Sequence, residues 1–213
     1  SDRWYFAEGY TGEGFEQWLC LFNPSDAVGE AEVIYSTSGG ERRTARYHVP
    51  PCSRSTVFVN GEVGSGKEVS LEVRSSSPMV VERPMYYSYR GRIAGGDIGT
   101  PAASPSRHWY LAEGYTGDGF EQWLCFFNPG QSDARVQVIL VGESGRQVYR
   151  DVVIPPGYRL TMNVNSSFGA RESVSAEIHS DVGIVLERPM YFNYGKGWRG
   201  GHLSPGFRLP EGR

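Results

Sequence analysis

The chain repeats itself at a fixed spacing, and that spacing limits its architecture more than any other feature. Trp4-Tyr5-Phe6-Ala7-Glu8-Gly9-Tyr10-Thr11-Gly12 returns as Trp109-Tyr110-Leu111-Ala112-Glu113-Gly114-Tyr115-Thr116-Gly117. Phe15-Glu16-Gln17-Trp18-Leu19-Cys20 returns as Phe120-Glu121-Gln122-Trp123-Leu124-Cys125, and Glu82-Arg83-Pro84-Met85-Tyr86 as Glu187-Arg188-Pro189-Met190-Tyr191. Each pair lies 105 residues apart, without insertion or deletion. A constant period of this kind makes each copy one structural unit, folded the same way twice. The 213 residues then divide into a first unit at 1–98, a Pro/Ala/Ser linker at 99–107 and a second unit at 108–213. A third copy would begin directly after Arg213, so the chain reads as two units cut in phase from a longer array.

The two copies have drifted unevenly. Between Trp4 and Pro24, 18 of 21 positions are identical, against roughly a third between Ser25 and Gly96. Uniform drift would not spare one segment, so the retained residues form a special turn, a core, an inter-unit contact or a binding site. In the less retained middle the apolar parity survives while the polar residues change. Ala31, Val33 and Tyr35 alternate with Glu30 and Glu32, and Val136, Val138 and Leu140 with Arg135 and Gln137. That is the pattern of strands buried on one face. Further strands are expected around Tyr47/Val49, Val57/Val59, Val69/Leu71/Val73 and Met79/Val81, separated by Gly-, Pro- and Asn-rich turns. No helical stripe is sustained anywhere. Short strands at about 8–12-residue spacing predict an all-β chain of two tandem β-sandwiches. Within each, Trp4–Ala7 and Phe15–Phe22 are strands and Glu8–Gly14 is the loop between them.

Composition removes several function classes. The formal charge is −3, with no basic stripe among the aromatic residues, which argues against a nucleic-acid partner. No apolar run approaches the ~20 residues of a membrane helix, so no membrane insertion is expected from this sequence. Of the 21 basic residues only Lys67 and Lys196 are lysines, a bias towards Arg codons. No charged-then-apolar segment opens the chain, and any export signal is expected to lie outside it.

Catalysis finds little support. The four histidines, His48, His108, His179 and His202, face Val153, Arg3, Arg74 and Asp97 in the other copy, so no nucleophile–base pair repeats. The Gly-rich loop leads into a strand and carries Glu8, Glu13 and Glu16, unlike a phosphate cradle at a helix N-terminus. Thr11-Gly12-Glu13-Gly14 lacks the alternating Asp/Asn of a calcium loop. No catalytic residue, cofactor or metal ligand is expected, and calcium at the inter-unit junction is left open. Cys20 and Cys125 correspond and read as small buried strand residues. Cys52 faces Gly157, so a Cys20–Cys52 disulfide depends on geometry.

What repeats with chemical character is a set of charges and rings. Glu8, Tyr10, Glu16, Trp18, Arg83, Tyr86 and Tyr89, with Glu113, Tyr115, Glu121, Trp123, Arg188, Tyr191 and Tyr194, are the candidate ligand or inter-unit contacts. Arg83 shares the parity of Val81 and Met85, so an unbroken strand turns it towards the apolar side. It then needs a carboxylate, for which Glu8, Glu16 and Glu82 are the candidates, with Arg54/Arg159 a second cation. A structural ion-pair network explains these residues; a sugar-binding surface of stacked rings and charged groups is the rival.

The run Ala-Glu-Gly-Tyr-Thr-Gly-x-Gly-Phe-Glu-x-Trp-Leu, followed by Asn-Pro, Val-Pro-Pro and Glu-Arg-Pro-Met-Tyr-Tyr, resembles repeats in secreted and surface proteins of high-GC bacteria, a domain family of unknown function. The resemblance implies an immunoglobulin-like extracellular module, often in tandem, and supplies no catalytic residues. Together these readings predict a non-catalytic structural or adhesion module at the cell surface. Its partners would be neighbouring repeats or other copies. A carbohydrate- or cell-wall-binding module is the alternative, with surface glycan as its partner.

Overall fold

The computed structural model describes residues 2–195 and 197–209; the last residues assigned above to the second unit, and Lys196, lie outside them. Among the described residues the chain is all-β apart from two single-turn helices. In the first half, β1 (Arg3–Phe6), β3 (Gly29–Thr37), β4 (Arg42–Val49) and β6 (Val69–Ser75) form one antiparallel sheet in the order β1-β6-β3-β4. Strands β2 (Phe15–Asn23), β5 (Ser53–Phe58), β7 (Val80–Tyr89) and β8 (Ile93–Gly99) form a second, ordered β5-β2-β7-β8. Trp4, Phe6, Leu19, Leu21, Val33 and Leu71 pack in one cluster drawn from both sheets. The predicted parity holds: Ala31, Val33 and Tyr35 are fully buried, as are Val138 and Leu140 in the other copy.

The second half repeats the pattern with β9 (Ser106–Leu111), β10 (Phe120–Phe127), β11 (Ala134–Gly142), β12 (Gln147–Ile154), β13 (Arg159–Asn163), β14 (Val174–Tyr194) and β15 (Trp198–Pro205). Here the counterparts of β6 and β7 are fused. The first part of β14 pairs with β9 and β11, and the last part with β10 and β15. Pro78 accounts for the break in the first copy, because it has no N–H for the ladder; Gly183 stands at the matching position of β14. Between Gly99 and Ser106, Ala102 forms a bridge with Tyr5, exchanging both backbone hydrogen bonds at 2.9 Å.

One sequence expectation needs correction. Val59 does not extend a strand with Val57: β5 stops at Phe58, and Val59–Val63 forms helix α1, matched by α2 (Val164–Phe168). Asn60 explains the turn. Its side chain donates to Phe15 O (2.8 Å) and accepts from Gln17 N (2.9 Å), pinning the helix to β2, and Asn165 does the same to Phe120 and Gln122. The Gly-rich loop is likewise stitched down. Thr11 Oγ1 donates to Gly64 O (2.7 Å) and accepts from Lys67 N (3.0 Å), while Val69 N donates to Gly9 O (2.9 Å). A Cβ on Gly9 would overlap the Gln17 side chain and the Val69 carbonyl, and one on Gly114 the same pair in the other copy. The loop is retained because it is part of the frame.

Candidate functional site

The retained charges meet where the two units meet. On the first unit, Trp4 and Phe6 face their own core, which turns Tyr5 of β1, and Ala7 just after it, outward. Both nevertheless are buried, packed with Leu124, Phe127 and Val185 in the core cluster of the second unit. Next along the chain, Glu8 enters a buried polar centre. Arg159 Nη2 donates to Glu8 Oε2 at 2.8 Å, and Arg159 Nη1 donates to Gly9 O and, at 3.1 Å, to Val69 O. Arg83 Nη1 donates to Glu187 Oε2 at 2.9 Å and to Glu8 O, and Glu8 N donates to the same Glu187 oxygen at 2.6 Å. The Arg83 and Glu187 side chains are each only 1% exposed.

This corrects the pairing read from the sequence. Glu82 cannot reach Arg83, because adjacent strand residues point to opposite faces, and Glu16 is exposed on β2. The Glu8 carboxylate is taken by Arg159, so Glu8 gives Arg83 only its carbonyl. The carboxylate that pairs with Arg83 is Glu187, the second copy's equivalent of Glu82.

Electrostatics follow the burial. Loss of water raises the Glu187 carboxyl above the ordinary carboxylate range, against the opposing pull of Arg83. Burial disfavours a charged guanidinium at Arg159, but the Glu8 carboxylate overrides it and holds the group above its ordinary value. Cys125 Sγ donates to Glu8 Oε2 at 2.6 Å, and its thiol is pushed well above the ordinary value, first by burial and then by that carboxylate. All three cysteines are free. With a thiolate required for alkylation, Cys52 is expected to react with iodoacetamide first, half-buried Cys20 more slowly, and Cys125 only after the junction opens. Mass spectrometry of tryptic peptides along a labelling time course checks the order.

Beside the charges lies a ring cluster. Tyr191 stacks on Tyr89 with centroids 3.9 Å apart and planes 4° from parallel, and meets Tyr87 edge-on at 5.1 Å and Phe15 at 6.3 Å. Tyr89 donates its hydroxyl to Glu121, and Arg90 pairs with Glu121 at 2.6 Å. Burial, then this carboxylate, pushes the Tyr89 phenol up to about 12. Tyr87 Oη donates to Gly201 O at 2.9 Å, and Leu203 N donates to Asp97, tying β7 and β8 to β15. Two clefts open on this seam. One of about 440 Å³ is lined by Tyr89, Arg90, Glu121, Tyr191 and Arg199; the other, about 280 Å³, by Glu8, Tyr10, Trp123 and Arg159.

Seven of the candidate residues therefore come together at the junction: Glu8, Tyr10, Arg83, Tyr89, Glu121, Trp123 and Tyr191. The other seven are divided between the ends of the molecule. Glu16, Trp18 and Tyr86 sit on the outer face of the first unit, with the Trp18 ring tilted against Phe58 at 4.5 Å. Glu113, Tyr115, Arg188 and Tyr194 sit at the far end of the second. The roles of Arg159 and Glu187 as cross-unit partners were missed, although both recur as Arg54 and Glu82. Among the described residues no three His, Cys, Asp or Glu side chains are grouped to hold a metal ion.

A protein-family model described as a family of unknown function matches residues 1–185. No curated protein matches the chain. Among solved structures, the crystal structure of Thermotoga maritima 1070 is similar at 21% identity and a TM-score of 0.45, over 48% of this chain and 94% of that one. The Anabaena sensory rhodopsin transducer is similar at 22% identity and a TM-score of 0.36, over 39% of this chain and 95% of that one.

Proposed function

We propose that this chain, which belongs to the family of unknown function DUF5719, is a non-catalytic structural module of a bacterial extracellular or cell-surface protein, built to hold successive units in one fixed relation. One observation carries the reading. The residues retained between copies, Glu8, Arg83, Arg159 and Glu187, pair with one another in the junction, each side chain no more than 5% exposed. A buried ion pair is a poor source of net stability, because desolvation offsets most of the attraction. Its use is to specify geometry: a slipped junction strands four charges out of water. The resemblance of the repeat to those of surface proteins supports the location.

The alternative, a carbohydrate-binding module, is favoured by the clefts beside the junction, where Tyr89 and Tyr191 lie near Glu121 and Arg199. Two experiments separate the readings. Small-angle scattering of the chain is expected to fit one rigid arrangement of the units, and a glycan array to stay blank. Glycan binding abolished by Tyr10→Ala or Tyr89→Ala, or scattering that demands freely jointed units, would overturn the structural reading.

A further inference from the structure

The junction joins two different surfaces, and each recurs on the other unit with most of its side chains exposed. The first unit contributes Tyr5, Ala7, Glu8, Arg83 and Tyr89; the corresponding Tyr110, Ala112, Glu113, Arg188 and Tyr194 stand at the far end of the second. The second unit contributes Phe127, Arg159, Val185, Glu187 and Tyr191; the corresponding Phe22, Arg54, Val80, Glu82 and Tyr86 stand on the outer face of the first. Exposure follows this division. Phe127 and Val185 are 0% exposed and Tyr191 6%, against 43%, 50% and 57% for Phe22, Val80 and Tyr86. Ala7 is fully buried while Ala112 is exposed, and Tyr194 is 61% exposed.

The polar groups are also preset. Arg54 Nη2 lies 3.4 Å from Cys20 Sγ, the distance that separates Arg159 Nη2 from Cys125 Sγ inside the junction. At the other end Arg188 donates to the Glu113 carbonyl, as Arg83 does to that of Glu8. There Arg188, itself 4% exposed, pairs with the Glu113 carboxylate at 2.5 Å, and the Glu113 side chain is 56% exposed.

We infer that a second copy of this chain docks its first unit onto the second unit of the first copy, reproducing the internal junction so that copies add head to tail. Arg188 then pairs with Glu82 of the incoming copy, Glu113 with Arg54, and Tyr194 stacks on Tyr86. Charge is complementary at both pairs. The contact is heterologous, so it extends into an open filament unless its rotation happens to close a ring. Some rim contacts do not carry over: Gly195 replaces Arg90, Phe192 replaces Tyr87, and His202 with Ile98 replaces Asp97 with Leu203. The contact between copies is accordingly weaker than the one within the chain.

The inference deepens the structural reading and rests on it, yet the two fail separately. Scattering reports the internal junction whatever the copies do. The test is sedimentation velocity of the chain up to about 1 mM, the effective concentration that a short linker supplies to tethered partners. Average mass is expected to climb past that of a dimer. Glu82→Arg and Tyr194→Ala each alter one exposed surface, and each alone is expected to weaken association at least tenfold. Mixed, they retain one good surface apiece and are expected to form a one-to-one dimer that grows no further. A chain that stays monomeric throughout, or self-association indifferent to both substitutions, would overturn the inference.

Discussion

Replacing Arg159 by alanine is expected to remove about 3–5 kcal/mol from the coupling between the units, because it leaves a buried carboxylate without its counter-charge. Glu8 loses a 2.8 Å ion pair, and the carbonyls of Gly9 and Val69 lose a donor. The molecule has one escape: the junction opens and Glu8 returns to water. The loss is therefore capped at the free energy that holds the units together, and appears as separation of the units before either unfolds. Calorimetry is expected to change from one transition to two, and Cys125 to become alkylatable under native conditions. The same substitution one repeat earlier provides the control. Arg54 is exposed, so Arg54→Ala is expected to shift stability by no more than about 0.5 kcal/mol in the monomeric chain. Equal losses at the two positions would contradict the burial difference on which the prediction stands.

That contrast also marks where sequence reasoning reached its limit. The sandwich was legible because burial of one sheet face writes itself into every second residue, as at Val33 and Leu71. The frame role of the loop was half legible: retention of the Gly-rich segment allowed a special turn, but only the fold places Gln17 and Val69 against Gly9. The partners of Arg83 and Glu8 were not legible, for a definite physical reason. Glu82 and Glu187 are the same residue in the same motif, flanked by the same Arg-Pro-Met-Tyr, yet one is exposed and the other 1% exposed. Their environments are set by which unit lies alongside, and local pattern carries no record of that. The clue available was the retention of opposite charges in both copies, with Arg83 on the apolar side of its strand. It pointed to a contact without saying that the contact crosses units.

Tyr191→Ala is the second large effect expected, again about 3–5 kcal/mol, the usual cost of deleting a buried aromatic ring. Its ring is the hub of the cluster formed by Phe15, Met85 and Tyr87, all contributed by the first unit, and it stacks on Tyr89. The cavity left behind is bounded by two units that can separate, so this loss too is drawn from the junction. Tyr191→Phe keeps the ring and is expected to stay within about 1.5 kcal/mol. Tyr86→Ala, the matching change on the exposed face, is expected to be near neutral in the monomeric chain. Combining Tyr191→Ala with Arg159→Ala makes the argument quantitative. Independent sites would add, whereas two substitutions that both act by opening one junction cannot remove more than that junction holds. The double variant is therefore expected to unfold much like the more damaged single variant, with Cys125 labelled at the same rate. Full additivity would place one of the two residues in the stability of its own unit and out of the contact between units.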